Sequence, residues 1–263
     1  MKFIKMEALG NDYIYVDMEE NPSYGPDSIK ELAPRLCPRN TGVGPDGIII
    51  LYREHGHIFT RIFNPDSSEA EVCGNGLRCV ARIAFDKGWT SGKKSFDIVL
   101  GKTKKHIKAQ VNEDLVSVNL GKAEISEADT IFYKENEIHY MPVNMGNPHA
   151  VIFVSDLDSV KVEELGSAVE NDKKFPQRTN VEFAEVISKT RIRLRIWERG
   201  AGETLACGSG ACATAYAAFY SGFCEENVEI EMKGGLAQVS IKEDRSMLLT
   251  GPVNYVFKGE LAL

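Results

Sequence analysis

Residues Cys73–Gly88 read CGNGLRCVARIAFDKG, and residues Cys207–Gly222 read CGSGACATAYAAFYSG. Each stretch opens on Cys-Gly-x-Gly and closes on a glycine 15 residues after its cysteine. Between these marks the residues suit a helix. Leu77, Val80, Ala81, Ile83 and Ala84 recur at helical spacing in the first, and the second is an alanine-rich run. Gly88 and Gly222 stand where helices commonly stop, at a left-handed position that glycine adopts without steric cost.

The match extends upstream. Arg61-Ile62-Phe63 and Arg195-Ile196-Trp197 each lie 12 residues before their cysteine, and Glu69 and Glu203 each lie four before it. The offset is 134 throughout (207 less 73), about half of the 263 residues. This is a duplicated unit: strand, polar loop, Cys-Gly-x-Gly, helix, glycine stop. A fainter echo joins Gly10-Asn11, before Tyr13–Val16, to Gly146-Asn147, before Ala150–Val154.

The length suits one large domain or two small ones, and the duplication favours two. With 31 Lys and Arg against 38 Asp and Glu, the net charge is −7, which argues against a nucleic-acid surface. No apolar run approaches a membrane span. The opening MKFIKMEALGND is too short and too soon polar for a signal peptide. A cytoplasmic protein is expected, with its six cysteines as thiols and no membrane partner.

Strands dominate the pattern. In the first half they are expected at Phe3–Leu9, Tyr13–Asp17, Ile48–Tyr52, Ile58–Phe63, Ser95–Leu100, His106–Val111 and Val116–Leu120. A short helix is expected over Ser28–Cys37, and Gly42–Gly47 must be a loop because its glycines and proline oppose regular structure. A linker is expected near Asn112–Asp114. In the second half strands are expected at His139–Val143, Ala150–Val154, Asn180–Val186, Arg191–Trp197, Val228–Met232, Ala237–Ile241, Met247–Thr250 and Tyr255–Phe257, with a helix over Val162–Asn171. The domains are then 1–114 with 253–263, carrying Cys73, and 115–252, carrying Cys207.

A cysteine at a helix start sits in an unusual field. The first N–H groups lack intrahelical partners and the dipole adds positive potential, so a thiolate is stabilised and the thiol pKa is expected to fall. The same N–H groups, uncrowded at Gly74, Gly76, Gly208 and Gly210, can hold a carboxylate. Two such sites facing each other would grip one carboxylate and set a sulfur on each face of its α-carbon. One thiolate could then remove the α-proton and the other thiol deliver one, while the helix-start N–H groups stabilise the charge that develops. Three other readings of the cysteines stay open. A zinc site could use Cys73, Cys79, Cys207 and Cys212, although C-x5-C and C-x4-C are not the usual spacings. The glycine-rich starts could cradle a phosphate, although no nucleotide-binding motif is present. A disulfide is disfavoured in the cytosol. Cys37, Cys79, Cys212 and Cys224 read as small buried apolar residues.

The opening MKFIKMEALGNDYIYVD, the loop TGVGPDG, and the stretches NPDSSEAEVCGNGLRC, MGNPHAV, TNVEF and ERGAGETLACGSGACA together resemble the diaminopimelate epimerase family of pyridoxal-independent amino-acid epimerases. The resemblance covers nearly the whole chain. It implies an α+β fold of two pseudo-symmetric domains, each a mostly antiparallel, barrel-like sheet wrapped around a central helix. It implies epimerisation of LL-diaminopimelate to meso-diaminopimelate, toward lysine and peptidoglycan precursors, with no cofactor and no metal, by a homodimer. Cys73 and Cys207 are then base and acid. Gly74, Asn75, Gly208 and Ser209 supply N–H donors to the reacting carboxylate, and Asn11, Asn64, Asn147, Asn180, Glu198 and Arg199 contact substrate. Arg199 suits a bidentate grip on the distal carboxylate, and Glu198 offers a counter-charge to the distal ammonium. The bland alternative for that pair is a solvated loop. His149 either lines the site near the thiols or is a structural hydrogen-bonder.

The chain departs from the family's pattern twice. Asp-Ser-Ser stands at residues 66–68 where Asp-Gly-Ser is usual, and Ser67 costs a little if that turn needs φ > 0. Near Gly47 some members carry glutamine. Two rival functions remain at this stage. One is a cofactor-free racemase acting on histidine, proline or hydroxyproline; proline-type relatives lack this Glu-Arg followed by Gly-Ala-Gly. The other is a non-catalytic metal or redox-sensing protein that uses the thiols.

Overall fold

Alternation of apolar and polar residues makes the strands, and glycines end them. In the computed structural model, which describes residues 1–262, β1 (Lys2–Ala8) and β2 (Asn11–Asp17) pair antiparallel across a turn where Leu9 and Gly10 take φ of 57° and 81°. Two short helices, α1 (Pro26–Glu31) and α2 (Ala33–Leu36), carry the chain to β3 (Gly47–Glu54), which runs parallel to β2 with Tyr13 beside Gly47. β4 (His57–Phe63) returns antiparallel and takes the two-residue β5 (Glu69–Ala70) along it. The helix α3 (Gly74–Asp86) then crosses over, so that β6 (Ser95–Leu100) lies parallel to β4. β7 (His106–Asn112) and β8 (Leu115–Lys122) follow antiparallel, and the chain's last strand, Asn254–Glu260, pairs with β1.

The chain divides into two compact units, one of Met1–Val118 with the chain's end from Gly251 onward, the other Asn119–Thr250. Residues 112–114, read as a linker, form the tight turn of the β7–β8 hairpin, where Asn112 pairs with Leu115.

The second unit has the topology of the first. Its elements are β9 (Glu124–Ile125), β10 (Asp129–Tyr133), β11 (Asn136–Asn144), β12 (Pro148–Phe153), α4 (Val162–Glu170), β13 (Asn180–Ser188), β14 (Arg191–Glu198) and β15 (Gly202–Thr204). Then come α5 (Gly208–Tyr220), β16 (Asn227–Met232), β17 (Gly235–Ile241) and β18 (Ser246–Pro252), before the last strand, β19. β12 and β13 are parallel, as β2 and β3 are; β14 and β16 are parallel, as β4 and β6 are. The other pairings are antiparallel, and β15 lies along β14 as β5 lies along β4.

Each sheet wraps around its own long helix, giving an α+β fold. In the first unit α3 touches β1 and β2 near one end of the sheet and β7 near the other. In the second α5 touches β11, β12 and β13 as well as β16 and β17. Of the two, α5 is apolar nearly all round, whereas α3 buries Asn75 and Arg78 among its apolar residues. Residues 210–218 of α5 are accordingly buried without a break. The outer face of each sheet is covered by the smaller helices. Ile14, Val16, Ile48 and Ile50 pack with Ile29, Ala33 and Leu36, while Ala150, Ile152, Val181 and Phe183 pack with Val162 and Val169. Among the described residues no helix is long and apolar enough to cross a membrane.

The single helix expected over Ser28–Cys37 is two, α1 and α2. Pro34 is the reason: it has no N–H for the Lys30 carbonyl and its ring crowds that oxygen. Ser67 Oγ donates to the freed Lys30 carbonyl at 3.0 Å. Ser67 does occupy a left-handed turn position, with φ 65°, and this hydrogen bond offsets part of the strain. The strand at Asp129–Tyr133 is absent from the sequence reading, because its two outward positions carry Thr130 and the exposed Phe132 rather than a clear polar alternation.

The duplicated residues do the same work in both units. Arg61 Nε donates to Glu69 at 3.0 Å and Arg195 Nε to Glu203 at 2.8 Å, each clamping the short strand before the cysteine. The helix ends coincide as well. Gly88 and Gly222 both have φ 72°, with Trp89 N–H bonded to Ala84 O and Phe223 N–H to Ala218 O. A Cβ at either glycine would meet nothing within 4 Å, so substitution tests backbone strain alone. Gly88→Ala and Gly222→Ala should each cost about 1–2 kcal/mol, with values within about 0.5 kcal/mol of each other, in urea denaturation. Clearly unequal costs would show that the two helix stops are not equivalent.

Candidate active site

Strand alternation turns Tyr13 and Tyr15 toward α3 while Ile14 and Val16 face the outer core. Cys73 is the N-cap of α3, in an extended conformation (φ −139°, ψ 107°), and its sulfur accepts from Gly76 N–H at 3.3 Å. Two residues of the chain's start meet this thiol. The Asn11 Oδ1 accepts from it at 3.4 Å, and the Tyr13 hydroxyl donates to it at 3.5 Å. Asn11 is held in that orientation because its Nδ2 donates to Asp46 Oδ2 at 2.7 Å. Asp46 also receives Asp12 N–H and an Arg39 guanidinium N–H. Burial first, and then the charge on Cys73, push the Tyr13 phenol well above its ordinary range, so it keeps its proton. Gly74 and Asn75 open the helix, where backbone N–H groups point out of the first turn.

Cys207 caps α5 in nearly the same conformation (φ −127°, ψ 119°), with the Ser209 hydroxyl 3.4 Å from its sulfur. Gly208 and Ser209 open this helix as Gly74 and Asn75 open the other. Glu198, at the end of β14, accepts from the Thr204 hydroxyl at 2.6 Å. Burial pushes the Glu198 carboxyl up, with Thr204 and Cys207 working against it. The Cys207 thiol is pushed well above its usual value, first by burial and then by the Glu198 carboxylate. The Ser209 hydroxyl and Gly210 N–H pull the other way and do not win. The lowered thiol expected at a helix start is therefore not found at Cys207, because desolvation outweighs the field of the first turn.

Behind Cys207 lies a buried polar pair. His149 Nδ1 is 2.6 Å from Glu182 Oε1, and its Nε2 is 3.1 Å from Asn147 Oδ1. Glu182 abuts the third residue of α5: a Cβ on Gly210 would stand 2.8 Å from Glu182 Oε1. His149 is thus a buried, doubly engaged side chain within the group around Cys207.

Other anticipated residues have local partners. Asn180 donates to Pro148 O at 2.9 Å and accepts from Arg199 N–H at 3.0 Å, tying β12 to the turn after β14. Arg199 is exposed, its guanidinium 3.2 Å from Gln177 O. Asn64 donates to Ser68 Oγ at 2.9 Å within its own turn. Cys37, Cys79, Cys212 and Cys224 are all buried, and burial pushes Cys37 and Cys224 to about 11 and Cys79 to about 12. Among the described residues no three or more His, Cys, Asp or Glu are grouped to hold a metal ion. Tyr13, Asp46, Glu182 and Thr204 belong to these clusters and were missed in the sequence. Two carried a signal: Glu182 is a charge in the apolar run Val181–Ala184, and Tyr13 stands two residues from Asn11, on one face of a strand.

The family model described as diaminopimelate epimerase matches residues 3–126 and 141–256. A diaminopimelate epimerase of Bacteroides thetaiotaomicron is 41% identical over 266 residues, covering 99% of this chain and 98% of its own. One of Carboxydothermus hydrogenoformans is 37% identical over 278 residues, covering all of both chains. The crystal structure of a hydroxyproline epimerase from Agrobacterium vitis matches with a TM-score of 0.73 at 15% identity, over 98% of this chain and 91% of that one, which is a likeness of fold.

Since the Glu198 charge raises the Cys207 pKa, Glu198→Gln should lower it. The thiol should stay above an ordinary cysteine, because burial remains. Alkylation of Cys207 followed against pH, with the labelled peptide identified by mass, should show the midpoint moving down. An unmoved midpoint would mean that Glu198 does not act on this sulfur.

Proposed function

Because the chain belongs to the diaminopimelate epimerase family, we propose that it interconverts LL- and meso-diaminopimelate by a cofactor-independent, two-thiol epimerisation. The observation that carries the residue assignment is the matched placement of Cys73 and Cys207, each capping the central helix of its own unit in the same extended conformation. Epimerisation needs one group to take the α-proton and a second to return a proton to the opposite face. Cys73 is assigned as the base and Cys207 as the acid at rest, since burial and Glu198 hold the Cys207 proton. The N–H groups of Gly74, Asn75, Gly208 and Ser209 are assigned to the substrate carboxylate, where they stabilise the charge that builds up as the α-proton leaves.

Asn11 positions Cys73, and Glu198 sets the proton on Cys207. Asn64, Asn147, Asn180 and Arg199 are assigned to the substrate's remaining polar groups, with Arg199 the one exposed cation among them. His149 supports the Cys207 side through its bond to Glu182. A racemase of histidine, proline or hydroxyproline is the second reading. The extent of identity to diaminopimelate epimerases favours the first. The reaction is assigned to the cytoplasm, where a reducing environment keeps both thiols reduced.

The test is α-proton exchange. The reduced protein with LL-diaminopimelate in deuterated water should incorporate deuterium and build the meso isomer, read by NMR. Cys73→Ala and Cys207→Ala should each lose at least about a thousandfold in epimerisation. If diaminopimelate is inert while histidine or proline exchanges, the chemistry stands and the substrate falls.

We also assign the enzyme as a homodimer. Consecutive Tyr255, Val256 and Phe257 on β19 are 45%, 53% and 46% exposed, an apolar run that a second subunit would cover. Sedimentation equilibrium should give about twice the 29.1 kDa chain mass, and Val256→Lys should shift it to the monomer. A wild-type monomer at micromolar concentration would end this assignment.

A further inference from the structure

We propose that Tyr13 is a positioning residue for the reaction at Cys73: its hydroxyl donates to the sulfur and favours the thiolate, and Gly47 is the residue that makes room for it. This rests on the assignment of Cys73 as a reacting thiol and goes beyond it, since the capping cysteine and its helix can exist without a hydroxyl at position 13.

The geometry begins at the strand pair. β2 and β3 are parallel with Tyr13 in register with Gly47. A Cβ on Gly47 would stand 2.8 Å from Tyr13 Cε1 and 2.5 Å from Phe63 O. Any side chain there would displace the ring edge that now fills the space. Gly47 does not have the positive φ that often explains a glycine, so close approach is its physical reason. The ring so seated carries its hydroxyl to 3.5 Å from Cys73 Sγ. Tyr15, two residues on, points the same way, and its hydroxyl donates to Gly76 O at 3.4 Å. The edge-on contact between the two rings, with centroids 6.4 Å apart, fixes both.

The chemistry follows from which partners survive ionisation. Asn11 Oδ1 accepts from the thiol and so supports the protonated form. Gly76 N–H and the Tyr13 hydroxyl donate to the sulfur and so support the thiolate. Tyr13 is almost fully buried, and a phenol there keeps its proton at any working pH, so it acts as a fixed donor and exchanges no proton with sulfur. Asp46 bears on the same point from the other side. By gripping Asn11 Nδ2 it keeps an acceptor, rather than a third donor, on the sulfur. Tyr13 therefore adds a second donor, beside Gly76 N–H, opposite the acceptor that Asn11 supplies.

Tyr13→Phe removes one oxygen and leaves the ring packing. Iodoacetamide alkylation of Cys73 is followed against pH in the full-length protein, with the labelled residue identified by peptide mass. No diaminopimelate is needed, so this readout is independent of the substrate assignment. The expected result is a roughly three- to tenfold slower alkylation near neutral pH and an upward shift of the midpoint. At high pH, where the sulfur is ionised in both proteins, the rates should converge. With 3-fluorotyrosine at position 13, a stronger donor, the midpoint should move down. If diaminopimelate turns over, the acid limb of kcat/KM should move with the alkylation midpoint in each variant. Alkylation profiles of Tyr13→Phe and wild type that superimpose would overturn the inference, even if epimerase activity is intact. A shifted profile in a protein inert to diaminopimelate would uphold it while removing the proposed substrate.

Discussion

The first N–H groups of a helix have no partner within it, and where the helix is wrapped by its own sheet they are left to a capping side chain or to whatever binds there. In both units that end of the helix is capped by a cysteine. A serine or aspartate would cap more strongly. Sulfur is a weaker acceptor, but it can lose a proton and carry the charge. The glycines after it follow from the same enclosure. Ile49 Cδ1 would stand 2.6 Å from a Cβ on Gly76, and Glu182 Oε1 would stand 2.8 Å from a Cβ on Gly210. A side chain at the third residue of either helix would have to displace the tip of Ile49 on β3 or of Glu182 on β13.

Enclosure also sets the electrostatics, and two opposing effects have to be weighed. The helix dipole at an N-terminus contributes typically below about 1 kcal/mol, whereas full burial of a thiolate shifts a pKa by several units. One pKa unit is about 1.4 kcal/mol, so burial wins unless donors or cations are added. At Cys207 burial does win, and the Glu198 charge adds to it. At Cys73, which is more exposed, added donors surround the sulfur.

The repeated frame was open to reading because its residues recur at a fixed offset. The two helices, their glycine stops, the Arg–Glu clamps and the strands around them all appear in the structure where the repeat puts them. What escaped reading depends on contacts distant in sequence. The break of the first helix turns on Pro34 and on a serine 37 residues from Lys30. The local partners of Asn180 and Asn64 could not be read either, because they are set by how the turns fold: Asn64 donates to Ser68 within its own turn. Asn180 ties a loop through both ends of its amide. Glu198 has near neighbours that the sequence does not announce, Thr204 and Cys207, because the turn after β14 folds back through β15.

The duplication then diverged at the positions nearest the sulfurs. In register, Tyr13 stands beside Gly47 in one unit as His149 stands beside Asn180 in the other. Two residues further along β3 and β13, Ile49 in the first unit answers to Glu182 in the second. One helix start is therefore backed by a phenol and an aliphatic side chain, the other by an imidazole and a carboxylate. An epimerisation runs both ways, so in the two-thiol reaction proposed for this chain each sulfur takes a proton in one direction and gives it in the other. A site that only stabilised the thiolate, or only the thiol, would trap the enzyme after one passage. The first unit offers Cys73 donors in Gly76 N–H and Tyr13 and an acceptor in Asn11. The second offers Cys207 the Ser209 hydroxyl, which can play either part, and a carboxylate that can take up a shared proton. The shared requirement is that each sulfur has both kinds of neighbour. The two halves of the duplicated chain meet it with different residues.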